Sequence, residues 1–154
     1  MSSMRLFVDT NVLLDALKSR KPNERPAKKL LALGFVREFE LWVSAGQVKD
    51  LVYFLTDGGK PSLAQDAMRK VAQLHRFVNV CSLTDDDLLQ MTRMAWPDPE
   101  DALIDIAARK VKAEAIVTQN LRDFGCASVR VFDCEGLFAF LEQEKGIAFD
   151  LVDW

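Results

Sequence analysis

Histidine and cysteine are scarce in this 154-residue sequence, which has one histidine, His75, and three cysteines, Cys81, Cys126 and Cys134. The cysteines are widely spaced and form no CxxC pair, so we expect buried free thiols rather than a disulfide or a zinc site. One histidine excludes any mechanism that needs two, and no nucleophile elbow is present for a triad. The phosphate-binding patterns GxGxxG and GxxxxGK followed by Ser or Thr are also missing, so nucleotide binding of those kinds has no support.

Long apolar runs are absent as well. No run approaches the roughly 20 residues that a membrane helix needs, and the N-terminus lacks the long apolar region of a signal peptide. We therefore expect a cytoplasmic protein that makes no membrane contact. Glycine and proline are sparse, with seven and five residues, so long disordered segments are not expected.

A strong positive charge is missing too, since the formal net charge is -3. Any contact with nucleic acid must therefore come from a local basic patch. The run KSRKPNERPAKK at residues 18–29 holds six basic residues and one acid. It is predicted to be an exposed loop that leads into a helix. We interpret it either as a solvated surface or as a contact for phosphate groups near a functional site.

Short apolar runs alternate with segments of helical periodicity along the chain. Strands that alternate with helices predict an α/β fold with a mainly parallel sheet covered on both faces. The length predicts one domain over residues 1–154, with a tail at 146–154 that packs on the domain or on a partner. Five runs are predicted to be strands, at residues 6–8, 41–44, 77–80, 115–118 and 129–132.

Capping residues mark where later helices begin. Thr84 followed by three aspartates predicts a helix that runs to about Trp96, and its acids are explained by the helix dipole rather than by a metal. Pro99, with Glu100 and Asp101, predicts the start of the next helix.

The segment MRLFVDTNVLLDAL at residues 4–17 contains the acid that is hardest to explain by capping alone. Asp9 directly follows a strand expected to be buried, and a buried carboxylate is costly unless something positive meets it. It stands where the strand gives way to a helix, and ligands bind at that edge of open α/β sheets. Thr10 and Asn11 can both cap the helix. Asp15 is predicted to lie on its solvated face.

Further polar residues lie at the ends of other predicted elements. Asp50 follows the second strand, Asp101 opens the helix before the fourth strand, and Asn120 and Asp123 follow the fourth strand. Taken singly, each is better explained by capping or solvation. Carboxylates that converge on one sheet edge either raise one another's pKa or need a cation. Without a histidine or cysteine cluster that cation is Mg²⁺ or Mn²⁺, which suggests hydrolysis of a phosphodiester.

Three segments resemble the PIN-domain family over nearly the whole chain: FVDTNVLLD, PEDALIDIAARKVKAEAIVTQN and the DF pair at 123–124. In that family the first acid follows strand one in a DTN or DSN context, which is Asp9 here. A second acid lies in a helix after a strand that ends near a serine, which matches Asp50 and Ser44. A third belongs to an EDA segment, which matches Asp101.

A fourth family position follows a strand that ends in threonine, in the pattern TxD or TxN with DF shortly after it. Thr118, Asn120 and Asp123 match this pattern. The resemblance implies a metal held by Asp9 and Asp101 with Asn120 or Asp123, and Asp105 is a minor candidate. It implies four catalytic acids and four supporting residues: Asp9, Asp50, Asp101 and Asp123, with Thr10, Asn11, Ser44 and Thr118.

The resemblance also implies a fold and an activity. The fold is a three-layer α/β/α sandwich with a mainly parallel, Rossmann-like sheet of about five strands. The activity is that of a Mg²⁺- or Mn²⁺-dependent ribonuclease acting on RNA. Many single-domain members are VapC-like toxins, so the resemblance further implies a small antitoxin protein as partner and a homodimer.

Two positions depart from the family pattern. Asp50 stands where Glu is usual, so its carboxylate reaches about one methylene less far. Asn120 stands where many members have Asp, so it contributes a carbonyl oxygen without charge. Asp123 either supplies that charge or caps the turn at 121–124.

Two alternatives to a nuclease stay open at this point. A catalytically weakened domain would act through protein or RNA binding. A phosphotransfer or phosphatase domain would use Asp9 as its acceptor, although the second acid of a DxD motif is replaced by Asn11.

Overall fold

The structure, a computed structural model, describes residues 3–149. All neighbouring strands are parallel, and the sheet order is β3-β2-β1-β4-β5. The parallel α/β sheet predicted from the alternation of strands and helices is therefore confirmed. The strands are β1 (Met4–Val8), β2 (Phe39–Ser44), β3 (Val78–Cys81), β4 (Ala115–Val117) and β5 (Arg130–Phe132).

Helices connect the strands. No helix within residues 3–149 has the length and apolar character needed to cross a membrane. Two 3₁₀ segments lie at Pro61–Leu63 and Leu121–Phe124. The helices are α1 (Thr10–Leu17), α2 (Glu24–Phe35), α3 (Ala45–Leu55), α4 (Ala64–His75), α5 (Asp85–Thr92), α6 (Pro99–Lys110) and α7 (Cys134–Lys145).

The sheet has an apolar core on each face, because successive side chains of a strand point to opposite sides. Leu6 and Val8 of β1 join the core formed with α1 to α4 and α7. Phe7, between them, joins a second core formed with α6. This arrangement gives three layers. Helix α2 lies very close to the sheet at Gly34. A Cβ added at this glycine would stand 2.4 Å from Cδ1 of Leu41 in β2.

The strand order places the end of β1 at the point where the chain changes direction across the sheet. From β1 the chain builds β2 and β3 on one side, and then returns to build β4 and β5 on the other. In parallel α/β sheets ligands bind outside the carboxyl ends of the strands at such a switch point. Asp9 stands there, and its backbone N–H bonds the Val117 carbonyl at 2.9 Å.

Two local expectations were wrong. Helix α5 ends at Thr92 rather than near Trp96, because the Trp96 ring packs edge-on against Phe124 at 5.8 Å instead of continuing the helix. Cys126 is exposed, whereas Cys81 and Cys134 are buried as expected. The predicted cap at Thr84 is confirmed by a capping box with Asp87, whose carboxylate also pairs with Lys110 at 2.6 Å.

The first part of the predicted tail packs back on the domain. Phe149 meets Phe39 and Phe138 at ring-centroid distances of 5.6 and 6.3 Å. The remainder of the tail, 150–154, lies outside the described residues.

Candidate active site

Asp9 lies between β1 and α1, and both of its carboxylate oxygens accept hydrogen bonds. Its backbone is extended, with φ -72° and ψ 150°, which makes Asp9 itself the N-cap of α1. One oxygen accepts from the Thr10 backbone N–H at 2.7 Å, and the other accepts from the Thr118 hydroxyl at 2.7 Å. The expectation that Thr10 or Asn11 caps the helix was therefore wrong.

Asn11 and Thr118 link the start of α1 to the end of β4. The Asn11 amide oxygen accepts from the Gln119 backbone N–H at 3.2 Å, and the Thr118 hydroxyl oxygen accepts from the Asn120 N–H at 3.1 Å. Thr118 is fully buried. The two strand ends are thus held together by side chains, and Asp9 is oriented by this link.

Ser44 forms the neighbouring corner of the site as the N-cap of α3. It makes a capping box with Gln47, whose amide nitrogen also donates to the Val8 carbonyl at 2.7 Å and to the Thr10 hydroxyl at 3.4 Å. Sequence reasoning missed Gln47, although a glutamine three residues after a capping serine is a recognisable signal. Asp50 follows one turn later and is exposed.

Asp101 enters from the first turn of α6, which Asp98 caps by accepting a 2.9 Å hydrogen bond from the Glu100 N–H. Burial, followed by the nearby carboxylates of Asp98, Asp9, Asp123 and Glu100, raises the pKa of Asp101 to about 7. Its ordinary value is 3.8. Asp101 is therefore largely uncompensated by positive charge.

Burial also raises the pKa of Asp9, and the carboxylates of Asp123 and Asp98 add to that increase. The hydrogen bonds from Thr118 and Thr10 act in the opposite direction, because they stabilise the ionised form. Asp9 and Asp101 thus face a common excess of negative charge.

One cleft of about 640 Å³ joins these elements. Thr118 lies buried behind it rather than in its wall. Asn120 and Asp123, from the turn after β4, are both exposed in its wall. The residues of the sequence prediction that line the cleft are Asp9, Thr10, Asn11, Ser44, Asp50, Asp101, Asn120 and Asp123.

Asp15 and Asp105 differ from their predictions. Asp15 was expected to be solvated, but it is only 6% exposed and pairs with Arg20 at 2.9 Å. Asp105 does not line the cleft. It is buried, accepts hydrogen bonds from the Ser128 N–H and hydroxyl at 3.0 Å, and pairs with Arg109. Asp105 therefore holds Ser128 and Arg109 in place and does not reach the cleft as a metal ligand.

Arg20 was part of the basic run whose role was left open between solvation and phosphate contact. It lines the cleft, with Nε bonded to Asp15 and Nη2 donating to the Asn11 carbonyl at 3.1 Å. Elsewhere in the run, Lys28 pairs with Glu24 and Lys29 lies over the Phe138 ring. Only Arg20 of this run is among the described residues of the cleft wall.

The donor set of the cleft suits a hard cation. Among residues 3–149 no three His, Cys, Asp or Glu side chains already stand close enough to form a metal cluster. Magnesium, however, usually keeps several waters and uses only one or two carboxylates. Asp9 and Asp101 line one cleft and meet that requirement.

The fold and the cleft together define a class of protein. Its members are parallel α/β domains with an acidic cleft at the switch point of the sheet. The model of the PIN domain matches residues 5–122, and the chain belongs to the PIN-domain family. A comparison with curated proteins found no match.

Solved structures with the same fold include three from bacterial toxin systems. A toxin–antitoxin complex from Klebsiella pneumoniae is 20% identical, with a TM-score of 0.63 over 84% of this chain and 97% of that one. DNA-bound VapBC from Salmonella typhimurium is 19% identical, with a TM-score of 0.63 over 85% and 98%. Mycobacterium tuberculosis VapC20, a toxin that cleaves the sarcin–ricin loop, is 19% identical, with a TM-score of 0.59 over 81% and 98%.

Proposed function

We propose that this protein is a metal-dependent endoribonuclease that hydrolyses RNA phosphodiester bonds and is the toxin of a toxin–antitoxin pair. The observation that carries the proposal is the meeting of Asp9 and Asp101 in one cleft, where burial and neighbouring carboxylates raise the pKa of both. Two acids 92 positions apart in sequence are brought into one cleft. A bound divalent cation would balance their charge.

Asp9 and Asp101 would hold Mg²⁺ or Mn²⁺, with Asn120 or Asp123 adding an oxygen from the turn after β4. The metal would polarise a phosphoryl oxygen of RNA and activate the attacking water. The hydrogen bonds from the Thr118 hydroxyl and the Thr10 N–H favour the ionised form of Asp9 and fix its orientation. Asp101 must release its proton before it can serve as a ligand, since its pKa is about 7.

Asp50 and Asp123 would act from the cleft wall. Asp123 contributes charge, because it raises the pKa of both Asp9 and Asp101. Among the described residues its carboxylate accepts no hydrogen bond from the 121–124 turn, whose Asp123 N–H bonds the Asn120 carbonyl instead, so the charge-supplying role is favoured over the capping role. Asp50 is exposed one turn into α3 and would reach the metal through a water.

The toxin role is supported by the likeness to the Klebsiella complex and to VapBC from Salmonella. By that likeness the partner would be a small antitoxin protein, the active form would be a homodimer, and residues 1–154 would form a single nuclease domain. If a small reading frame lies beside the gene, co-expression of its product with this protein, followed by size-exclusion chromatography, tests the pairing.

A catalytically weakened domain is the second candidate, and one observation favours it. No three His, Cys, Asp or Glu side chains among residues 3–149 stand close enough to hold a metal ion, and Asn120 adds no charge to the acids of the cleft. Calorimetric titration with Mn²⁺ separates the two candidates, because a weakened site would show neither binding heat nor cleavage. The phosphotransfer alternative has less support, because Asn11 stands where a DxD motif needs its second acid and the chain belongs to the PIN-domain family.

The decisive experiment is cleavage of structured and unstructured RNA in Mg²⁺, Mn²⁺ or EDTA. Asp9→Asn should lower the rate by about 100-fold or more, since even outer partners of metal ligands are worth 10- to 100-fold. Asparagine is as good an N-cap as aspartate, so the variant should fold. Asp66→Asn, at an acid of α4 outside the cleft, is the matched control. Cleavage by Asp9→Asn at the wild-type rate would show that the assigned site is wrong.

A further inference from the structure

Two large aromatic side chains stand exposed at the wall of the acidic cleft. Tyr53 is 59% exposed and Phe54 is 48% exposed, and both line the cleft. Their rings meet edge to face, with centroids 5.6 Å apart and an interplanar angle of 80°. Exposed aromatic surface of this kind is costly in water and usually marks a contact site.

The two aromatic residues lie on the same helix as polar residues of the cleft wall. Helix α3 turns the same face to the cleft at Gln47, Asp50 and Phe54, which are three and four residues apart. Gln47 is anchored to the Val8 carbonyl at the end of β1. Phe54 therefore lies one helical turn, about 5.4 Å, beyond Asp50 along the helix axis.

The end of α3 is held in place, so the rings are presented by a fixed backbone. Lys18 donates to the Phe54 carbonyl at 3.1 Å and to the Asp57 carboxylate at 2.9 Å. The Thr56 hydroxyl donates to the Val52 carbonyl at 2.8 Å and accepts from the Gly59 N–H at 3.0 Å. A fixed aromatic surface loses little entropy on binding a flat ligand.

We infer that Tyr53 and Phe54 form a stacking surface for unpaired RNA bases next to the phosphate held in the cleft. This inference rests on the proposed nuclease function and names the two side chains that would hold the bases next to the cleaved phosphate. Every base has a π-face, but only an unpaired base can turn out of a helix to stack on a protein ring. Arg20, on the same cleft wall, can meet the phosphate backbone that joins such bases.

A protein partner fits this surface less well. The centres of protein–protein interfaces are depleted in charged residues. The aromatic pair instead continues directly into a wall that carries Asp50 and the other cleft carboxylates. An RNA strand uses both parts, because its bases are apolar and its phosphates attract metal ions.

Tyr53 is the single tyrosine in the sequence, which provides a direct probe of stacking. Labelling the chain with 3-fluorotyrosine gives one ¹⁹F resonance. The Asp9→Asn chain in MgCl₂ is titrated with an unstructured RNA dodecamer, and separately with the same dodecamer made fully abasic. The resonance should shift with the intact RNA and not with the abasic RNA, which has the same phosphates.

Affinity measured by fluorescence polarisation provides the second readout. Tyr53→Ala and Phe54→Ala should each weaken binding of the dodecamer by about 5- to 150-fold, the range that loss of one stacked base gives. Tyr53→Phe should bind like the parent, because it retains the ring. Phe54→Leu should bind like Phe54→Ala. Phe35→Ala, at an exposed aromatic outside the cleft wall, should have no effect.

Three results would overturn the inference. The first is RNA binding by the Asp9→Asn chain without a ¹⁹F shift. The second is no RNA binding by the Asp9→Asn chain at all. The third is a ¹⁹F resonance that shifts with protein concentration alone together with a change of oligomeric state in Tyr53→Ala, which would make the surface a contact between copies. Cleavage by the wild-type protein is scored separately, so the nuclease proposal stands or fails independently.

Discussion

The Thr118 hydroxyl donates a 2.7 Å hydrogen bond to the Asp9 carboxylate, across 109 positions of sequence. The donor is fully buried, and the acceptor is 9% exposed. Burial raises the pKa of Asp9, and this hydrogen bond opposes the increase. Thr118 does not line the cleft, but it favours the ionised form of Asp9, which does.

Replacing Thr118 should therefore weaken metal binding. Thr118→Val keeps the shape and removes the donor, so the pKa of Asp9 should rise further and a proton should compete with the metal. We expect Mn²⁺ affinity at pH 7 to fall by about 10- to 100-fold, as for other outer partners of metal ligands. Thr118→Ser retains the hydroxyl and should stay close to wild type in isothermal titration calorimetry. Equal affinities for the valine and serine variants would contradict the assigned role.

Asp101 should make the metal-free protein less stable as the pH rises. Its pKa is about 7 in the folded chain against an ordinary 3.8, so between these values the folded chain keeps a proton that the unfolded chain has lost. The free energy of unfolding should then fall as the pH rises from about 4 to about 7, and stay low above that.

Asp101→Asn removes this dependence. In EDTA it should raise the melting temperature at pH 8 and have little effect at pH 4. Glu142→Gln, at an exposed acid of α7, is the control. An increase of equal size at both pH values would mean that Asp101 does not carry the raised pKa.

The pair of Arg20 and Asp15 should contribute to stability. Asp15 is buried, and Arg20 is its partner at 2.9 Å. Arg20→Gln leaves this carboxylate without its cation and should lower the free energy of unfolding by about 1 to 2 kcal/mol, between the values for surface and buried pairs. Adding Asp15→Asn should restore part of the loss in urea unfolding. Additive losses in the double variant would show that the two side chains act separately.

Lengthening Asp50 should strengthen the site. Asp50→Glu extends the carboxylate by one methylene from α3 toward the cleft. The longer side chain should contact the proposed metal directly instead of through a water. We expect a several-fold gain in Mn²⁺ affinity and in RNA cleavage. Asp66→Glu on α4 is the control. A loss of activity in Asp50→Glu would indicate that the shorter side chain is matched to this cleft.

The parallel α/β architecture could be predicted because its signals are local. Short apolar runs such as 6–8 and 115–118 fall within or beside observed strands, and capping residues such as Thr84 stand where helices begin. The order of strands in the sheet depends on which helices cover which face, and no local pattern encodes that choice.

The errors concern residues whose surroundings are set by distant segments. Asp9, Thr10 and Asn11 are all good capping residues, so their composition could not show which of them ends the strand. Helical spacing places Asp15 opposite the apolar positions of α1, but the loop after α1 brings Arg20 over it. Helical spacing alone cannot predict that a residue of a following loop shields the polar face of a helix from water.

The pairing of β1 with β4 has a consequence for synthesis. Leu6 of β1 lies opposite Ala115 of β4, so the first strand made by the ribosome completes its pairing only after most of the chain has emerged. A nascent chain that ends near Trp96 contains Asp9 and Asp50 but neither Asp101 nor Thr118. Such long-range pairing also slows folding. A partly made chain therefore lacks two of the residues on which the proposed metal site depends.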